Sequence, residues 1–314
     1  MIKFDKDYPD KFEAFLEWFE TEQDCIDYIV KLKWPDGFRC PECCSEKAWP
    51  TAKKLMHCSD CGHQTSVTAE TVFHGTRKSL KLWFHVMWWV VSQKTGCSAL
   101  TLKNVMGFDS YETAWTWLQK LRRIMVRPGR EMLSGRVEVD ETFLGAEEEG
   151  KPGRGSDKKV QIAVAVEEND GRLGRVRFRC IENSSAEQLI PFIEDNIKKG
   201  STVVTDGWSG YNEVSSKGYN HTVYKISGSG KTADELLPNV HLIISLVKRW
   251  LMGTHQGAAS EKHLQYYLDE YSFRFNRRLS THRGKLFYRL MQLSVSQRAQ
   301  TMNEITGKTK RGAF

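Results

Sequence analysis

Two cysteine pairs constrain this chain more than any other feature. Cys40-Pro41-Glu42-Cys43 and Cys58-Ser59-Asp60-Cys61 each close a tight knuckle. Four thiolates in two matched pairs make the tetrahedral sulfur shell that zinc prefers, with no coordination position left open for chemistry. The segment between the pairs, through Trp49 and Met56-His57, reads as short strands with a turn, and Gln64 to Thr68 reads as another. The expectation is a zinc ribbon whose structural zinc is held by Cys40, Cys43, Cys58 and Cys61. Cys44 competes with Cys43 but breaks the two-residue spacing, and His57 and His63 are weaker rivals. Redox-active pairs are the alternative, and the co-occurrence of two matched pairs argues against them. Eight cysteines used this way point to a reducing compartment rather than a disulfide framework. No apolar run is long enough to span a bilayer, and Met1-Ile2-Lys3-Phe4-Asp5 is not a signal peptide, so a cytoplasmic protein is expected.

The rest of the N-terminal half reads as helices. Phe12, Phe15, Leu16 and Phe19 recur at helical spacing, and Thr21 with Asp24 opens a second helix on which Cys25 is a buried thiol. Leu80, Trp83, Phe84, Met87, Trp88 and Val91 make a strongly apolar helix whose tryptophans belong to a core. Ser98 opens a short helix that stops at Gly107, and Asp109 with Glu112 reads as a capping box for a third. Short helix, glycine turn, capped helix and basic tail form a helix-turn-helix pattern. Ser110, Tyr111 and Thr113 at the start of the third helix, with Arg122 and Arg123 in its basic tail, are the candidate DNA contacts. Lys47, Trp49, Lys53 and Lys54 of the ribbon could also touch nucleic acid. The formal net charge of +7 and pI near 8.9 arise from clusters in this helix and at Arg274, Arg277, Arg278 and Arg283, which suits a polyanion partner.

After the Arg127-Pro128-Gly129-Arg130 break the pattern becomes α/β. Val137, Val139, Glu141 and Phe143 alternate with Glu138, Asp140 and Thr142, so one face of a strand carries acids. Carboxylates on a sheet face are costly unless a partner or metal compensates them. Ser201 to Thr205 form a second strand that ends in Asp206. Two strands that each deliver an aspartate suggest a site for a divalent cation such as magnesium, the alternative being ordinary strand-end and turn acids. Between them lie a strand at 160–166, an Asn169-Asp170-Gly171 turn, a strand at 175–181, and a helix capped by Ser184 with Glu187. That order is ribonuclease-H-like, a mixed sheet with flanking helices in which the first and fourth strands are neighbours, so Asp140 and Asp206 should meet. The Gly145–Lys158 loop is expected to be mobile. Ser227-Gly228-Ser229-Gly230-Lys231-Thr232 lacks the first glycine of a phosphate loop and reads as a plain loop. Pro238 starts a helix on which His241 and Lys248, two turns apart, project together; a long final helix ends in Arg277-Arg278. The expected division is 1–74 for the N-terminal helices and ribbon, 75–128 for the helix-turn-helix, 129–295 for the α/β domain and 296–314 for a polar, loosely ordered tail.

Asp140-Glu141-Thr142, Thr205-Asp206-Gly207-Trp208-Ser209-Gly210-Tyr211, Lys248-Arg249-Trp250 with Gly253-Thr254-His255, and Tyr267-Leu268-Asp269-Glu270 with Phe273 to Arg278 together carry a resemblance. They resemble the DDE transposases of bacterial insertion sequences, in the subgroup with an N-terminal zinc ribbon. The resemblance covers nearly the whole chain. It implies a first acid at Asp140, a second at Asp206, and a third position seven residues before Lys248, where this chain has His241 rather than an acid. Imidazole suits manganese better than magnesium, and Asn239, Glu235 and Glu270 are rivals for that position. It further implies phosphodiester transfer with two Mg2+ or Mn2+ ions, Asp140 bridging them, Lys248 placing a phosphate and Glu138 as an extra ligand. The partners it implies are double-stranded DNA at the element ends and at the target, and a second copy in a homodimer or larger homo-oligomer. A catalytically inactive zinc-ribbon DNA-binding regulator, or a nuclease without strand transfer, are the competing readings.

Overall fold

The computed structural model describes residues 6–51, 55–127, 129–145, 159–225, 230, 232–256, 260–298 and 300–307. Lys53 and Lys54, the loop expected to be mobile at 146–158, and Ser227, Gly228, Ser229 and Lys231 lie outside the described residues. The chain forms two units, one from residues 1–127 with 279–314 and the other from 128–278.

The first unit starts with α1 (Phe12–Trp18) and α2 (Glu22–Lys33), the latter opened by the Thr21–Asp24 capping box. The ribbon follows as β1 (Ala48–Pro50), β2 (Leu55–Cys58) and β3 (Gln64–Ser66), an antiparallel sheet in that order. Then come α3 (Leu80–Ser92), α4 (Ala99–Met106) and α5 (Tyr111–Ile124), each with a serine N-cap: Ser79, Ser98 and Ser110. The cap of α5 is therefore Ser110, whose hydroxyl accepts from Thr113 N, and not the Asp109–Glu112 box expected from sequence. Asp109 instead lies in solvent and faces Lys78 at 3.6 Å. The apolar face of α3 is core as expected: Trp83 stacks on Trp117 at 3.6 Å, and Phe84 and Trp88 join Phe15, Phe19 and Tyr28 in one aromatic cluster.

The second unit holds β4 (Arg136–Leu144), β5 (Val160–Asn169), β6 (Arg172–Ile181), α6 (Ala186–Asn196), β7 (Thr202–Asp206), β8 (Asn220–Tyr224), α7 (Ala233–Leu236), α8 (Pro238–His255) and α9 (Glu261–Phe275). The strand order is β6-β5-β4-β7-β8, with β4, β5 and β6 antiparallel and β7 and β8 parallel to β4. That is the ribonuclease-H-like arrangement, and it adds β8, which sequence reading missed. The alternation along the strands divides the core between two faces. Val137, Val139, Ala163, Ala165 and Val203 pack with α6. Ile162, Val164, Val166, Phe178 and Val204 pack with α8 and α9. Because side chains alternate, Glu138, Asp140 and Asp206 belong to the α8 face and Glu141 to the α6 face. Ser185, not Ser184, is the N-cap residue of α6.

Two further helices, α10 (Arg283–Ser296) and α11 (Met302–Thr306), complete the first unit. α10 packs on α2, α3 and α5, with Phe287 in the aromatic cluster and Ser294 O accepting from Val72 N. The sequence-based boundary at 295 thus moves to 278, and the segment expected to be a loose tail carries a capped helix with Ile305 buried. This covers α5. Arg122 is 1% exposed and donates to Cys97 O at 3.2 Å, so the expected surface DNA contact is an interior side chain. Arg123 is half-buried, and its charge helps hold the Glu304 carboxyl of α11 below its usual range, after the Thr301 hydrogen bonds that cap that helix.

Candidate active site

The ribbon brings Cys40, Cys43, Cys58 and Cys61 together, their sulfurs all within 4.8 Å of one another. The two knuckles are built alike. Cys44 N donates to Cys40 O at 2.9 Å and Gly62 N to Cys58 O at 3.0 Å, and both Cys44 and Gly62 have positive φ, 59° and 73°. Cys44 therefore occupies the turn position that a glycine fills in the other knuckle, which is why it is no ligand. Backbone N–H groups of Cys61 and Asp60 point at Cys58 and hold its thiol below the usual range, favouring the thiolate that a metal requires.

On the α/β unit, β4 and β7 pair in parallel with Glu138 opposite Val204. Continued two residues past that last pair, the register leads to Asp140 and to Asp206, the last residue of β7, at the same end of the two strands. Asp140 Oδ1 accepts from Glu141 N at 2.8 Å, and Oδ2 stands 3.4 Å from His241 Nε2 in the first turn of α8. The Asp140 carboxyl is pushed up to about 7, first by burial and then by the negative charges of Glu141 and Asp206, with Lys248 acting in the opposite sense. A buried acid flanked by two others is an electrostatic demand for a cation. His241 Nδ1 faces Asp234 Oδ1 of α7 at 3.2 Å, an acid that sequence reading did not single out. A carboxylate on one imidazole nitrogen leaves the other free to coordinate, the usual arrangement behind a metal-ligating histidine. Lys248 is exposed on the same side of α8, two turns on.

Among the described residues only the four cysteines form a set of three or more ligand atoms drawn to within 4.8 Å of one another; Asp140, Asp206 and His241 do not meet that spacing. The other acids are accounted for differently. Glu138, expected as an extra ligand, is fully buried and bonded to the start of α8. Glu141 turns to the opposite face, where the buried Tyr211 hydroxyl donates to it at 2.7 Å. Of the rivals for the third position, Glu235 caps α7 through Thr232, Asn239 bonds Glu138, and Glu270 pairs with Arg274 at 2.7 Å.

The Asp206-Gly207-Trp208-Ser209-Gly210-Tyr211 run explains itself in this setting. Trp208 N donates to Asp206 Oδ1 at 3.0 Å, and its indole N–H donates to Ser184 O at 2.7 Å. A Cβ on Gly210 would lie 2.5 Å from that same carbonyl oxygen and 3.0 Å from Leu189, so the turn closes only with glycine. Tyr211 then reaches Glu141 and ties the end of β7 to β4. Gly210→Ala is expected to lower stability by roughly 1–3 kcal/mol, the range for overpacking, and to loosen Asp206 with the turn. Thermal melts of the variant against the wild type read the first effect.

Residues 132–276 match the ISXO2-like transposase domain, and residues 20–64 match the transposase zinc-ribbon domain. No curated protein matches the chain. Among solved structures, the catalytic core domain of BIV integrase is similar at 18% identity over 44% of this chain and 82% of that one, with a TM-score of 0.30. The Mos1 strand transfer complex is similar at 15% identity over 73% and 81%, with a TM-score of 0.26. At such scores the two structures add nothing to the strand order and the domain matches. Among the described residues no helix is long and apolar enough to cross a membrane. By its two matched domains and their order, the chain belongs to the insertion-sequence DDE transposases that carry an N-terminal zinc ribbon.

Proposed function

We propose that this protein binds the terminal inverted repeats of its own element and catalyses divalent-metal-dependent DNA cleavage and strand transfer. The observation that carries the reading is the meeting of three groups on one sheet face. β4 and β7 carry Asp140 and Asp206 at the same end of the two strands, and α8 lays His241 Nε2 at 3.4 Å from Asp140. Two carboxylates and an imidazole fit Mg2+ or Mn2+, with the nitrogen favouring Mn2+. A divalent ion there supplies Lewis-acid stabilisation of phosphodiester displacement and a lowered pKa for the attacking hydroxyl. The chain's own part is placement: the Glu141 amide aims Asp140, Asp234 aims His241, and Lys248 offers a charge to a DNA phosphate. The structural zinc belongs to Cys40, Cys43, Cys58 and Cys61.

The ribbon and the α4–α5 pair are the DNA-reading elements of the proposal. At the exposed start of α5, Ser110 and Thr113 spend their hydroxyls on each other at 2.9 Å and on the cap. Tyr111, 53% exposed, is the residue of the three best placed to reach DNA. Pairing of two element ends calls for a dimer or larger homo-oligomer.

The test uses purified protein and DNA carrying the sequences that flank its gene, with Mg2+ and with Mn2+. End cleavage and joined product are expected from the wild type, and neither from Asp206→Ala. Nicks without joined product would identify a nuclease, and specific binding without any cleavage would identify a regulator.

A further inference from the structure

We infer that Glu138 is a positioning residue: its buried carboxylate clamps the first turn of α8 onto β4 and thereby sets His241 against Asp140. The inference rests on the proposed metal site and deepens it. α8 begins at Pro238, which has no N–H, and its N-cap residue Leu237 provides no side-chain cap. The next two amides would be orphaned in the interior. Glu138 takes both: Oε2 accepts from Asn239 N at 2.8 Å and from Val240 N at 2.9 Å, while Oε1 accepts from Asn239 Nδ2 at 3.0 Å. The carboxylate is fully buried and also meets the positive end of the helix dipole.

A buttress holds the clamp. Arg136 stands 3.6 Å from Glu138 Oε1 and 3.2 Å from Glu168, and Glu168 in turn accepts from Asn239 Nδ2 at 3.1 Å. The geometry couples clamp and site because each pair shares an element. Glu138 and Asp140 lie two residues apart on one face of β4, about 7 Å along the strand. Asn239, Val240 and His241 follow one another in a single helical turn, with His241 N still donating to Leu237 O. Fixing the amides of 239 and 240 on Glu138 therefore fixes where the His241 ring falls relative to Asp140. With its oxygens taken up by these donors, Glu138 shapes the site without ligating in it.

The test is Mn2+ binding by the full-length, zinc-loaded protein, followed through the paramagnetic resonance of the free ion. Glu138→Ala is expected to weaken Mn2+ binding about 10–100-fold, the usual effect of losing an outer-shell partner. Asn239→Ala, which keeps both backbone amides on Glu138, is expected to change it less than about 3-fold. In the His241→Ala background Glu138→Ala should cause no further loss, because the clamp acts through His241. Should Glu138→Ala not fold, Glu138→Gln serves, with a smaller loss that His241→Ala likewise erases. Wild-type binding by either Glu138 variant, or additive losses with His241→Ala, would overturn the clamp. Full binding by Glu138→Ala alongside losses in Asp140→Ala and His241→Ala sinks the clamp and leaves the metal site standing. Equal binding by all variants sinks the site itself.

Discussion

Asp140→Asn is expected to abolish end cleavage, by on the order of 10³-fold or more, and at the same time to make the protein more stable when no Mg2+ or Mn2+ is added. Burial and the charges of Glu141 and Asp206 push the Asp140 carboxyl up to about 7, against 3.8 for the unperturbed group. A raised folded-state value means that the native protein holds a proton that the unfolded chain has released. Stability is therefore lost as pH rises from about 4 to about 7, by up to roughly 4 kcal/mol above that window. Asparagine carries no such penalty. The melting temperature of the variant should exceed that of the wild type by several degrees at pH 8, and the two should converge near pH 4. Adding Mn2+ should raise the melting temperature of the wild type and leave that of the variant unmoved. Scanning calorimetry at three pH values reads both. A melting-temperature gap between Asp140→Asn and the wild type that does not widen from pH 4 to pH 8 would contradict the electrostatic account of this site.

The second large effect belongs to the ribbon. Its sheet has strands of three or four residues, and among the described residues its buried apolar groups amount to little beyond Phe38, Met56 and Val67. So small a core cannot hold itself, and the metal has to supply the folding free energy, on the order of 10 kcal/mol for a structural zinc. Cys58→Ser is expected to release zinc and unfold residues 40–66 while the aromatic cluster around Phe84 and Phe287 persists. Specific binding to the element ends should fall by at least about 100-fold if, as proposed, the ribbon is a DNA-reading element. The measurements are zinc content, the near-ultraviolet dichroism of Trp49, which lies 4.4 Å from His57 across β1 and β2, and DNA affinity at fixed salt.

Features of this fold are legible in the sequence to the extent that their signals are local. Paired cysteines at knuckle spacing, the serine that opens α4 at 98, and alternation along β4 are encoded within a few residues, and each is where it was expected. The order of strands and helix was enough to make β4 and β7 neighbours, and with them Asp140 and Asp206. What escaped depends on partners far along the chain. Glu138 meets Asn239 across 101 residues, so an acid on a strand face could not be told from a metal ligand until its acceptors were seen to be filled. Arg122 looks like part of a basic surface until α10 and α11, more than 150 residues later, are seen to pack on α5. The same return of the chain moved the domain boundary. Asp234 lies on a helix of four residues, too short to show periodicity.

Asp140, Asp206 and His241 are proposed to make one metal-dependent strand-transfer site. The most direct measurement supplies pre-cut element ends and a supercoiled target plasmid, so that only joining is read, with Mg2+, Mn2+ or chelator. Joined product is expected from the wild type with either ion, none with chelator, none from Asp140→Asn or Asp206→Asn, and a marked loss from His241→Ala. Joining that survives in Asp140→Asn, or proceeds without divalent metal, would contradict the account.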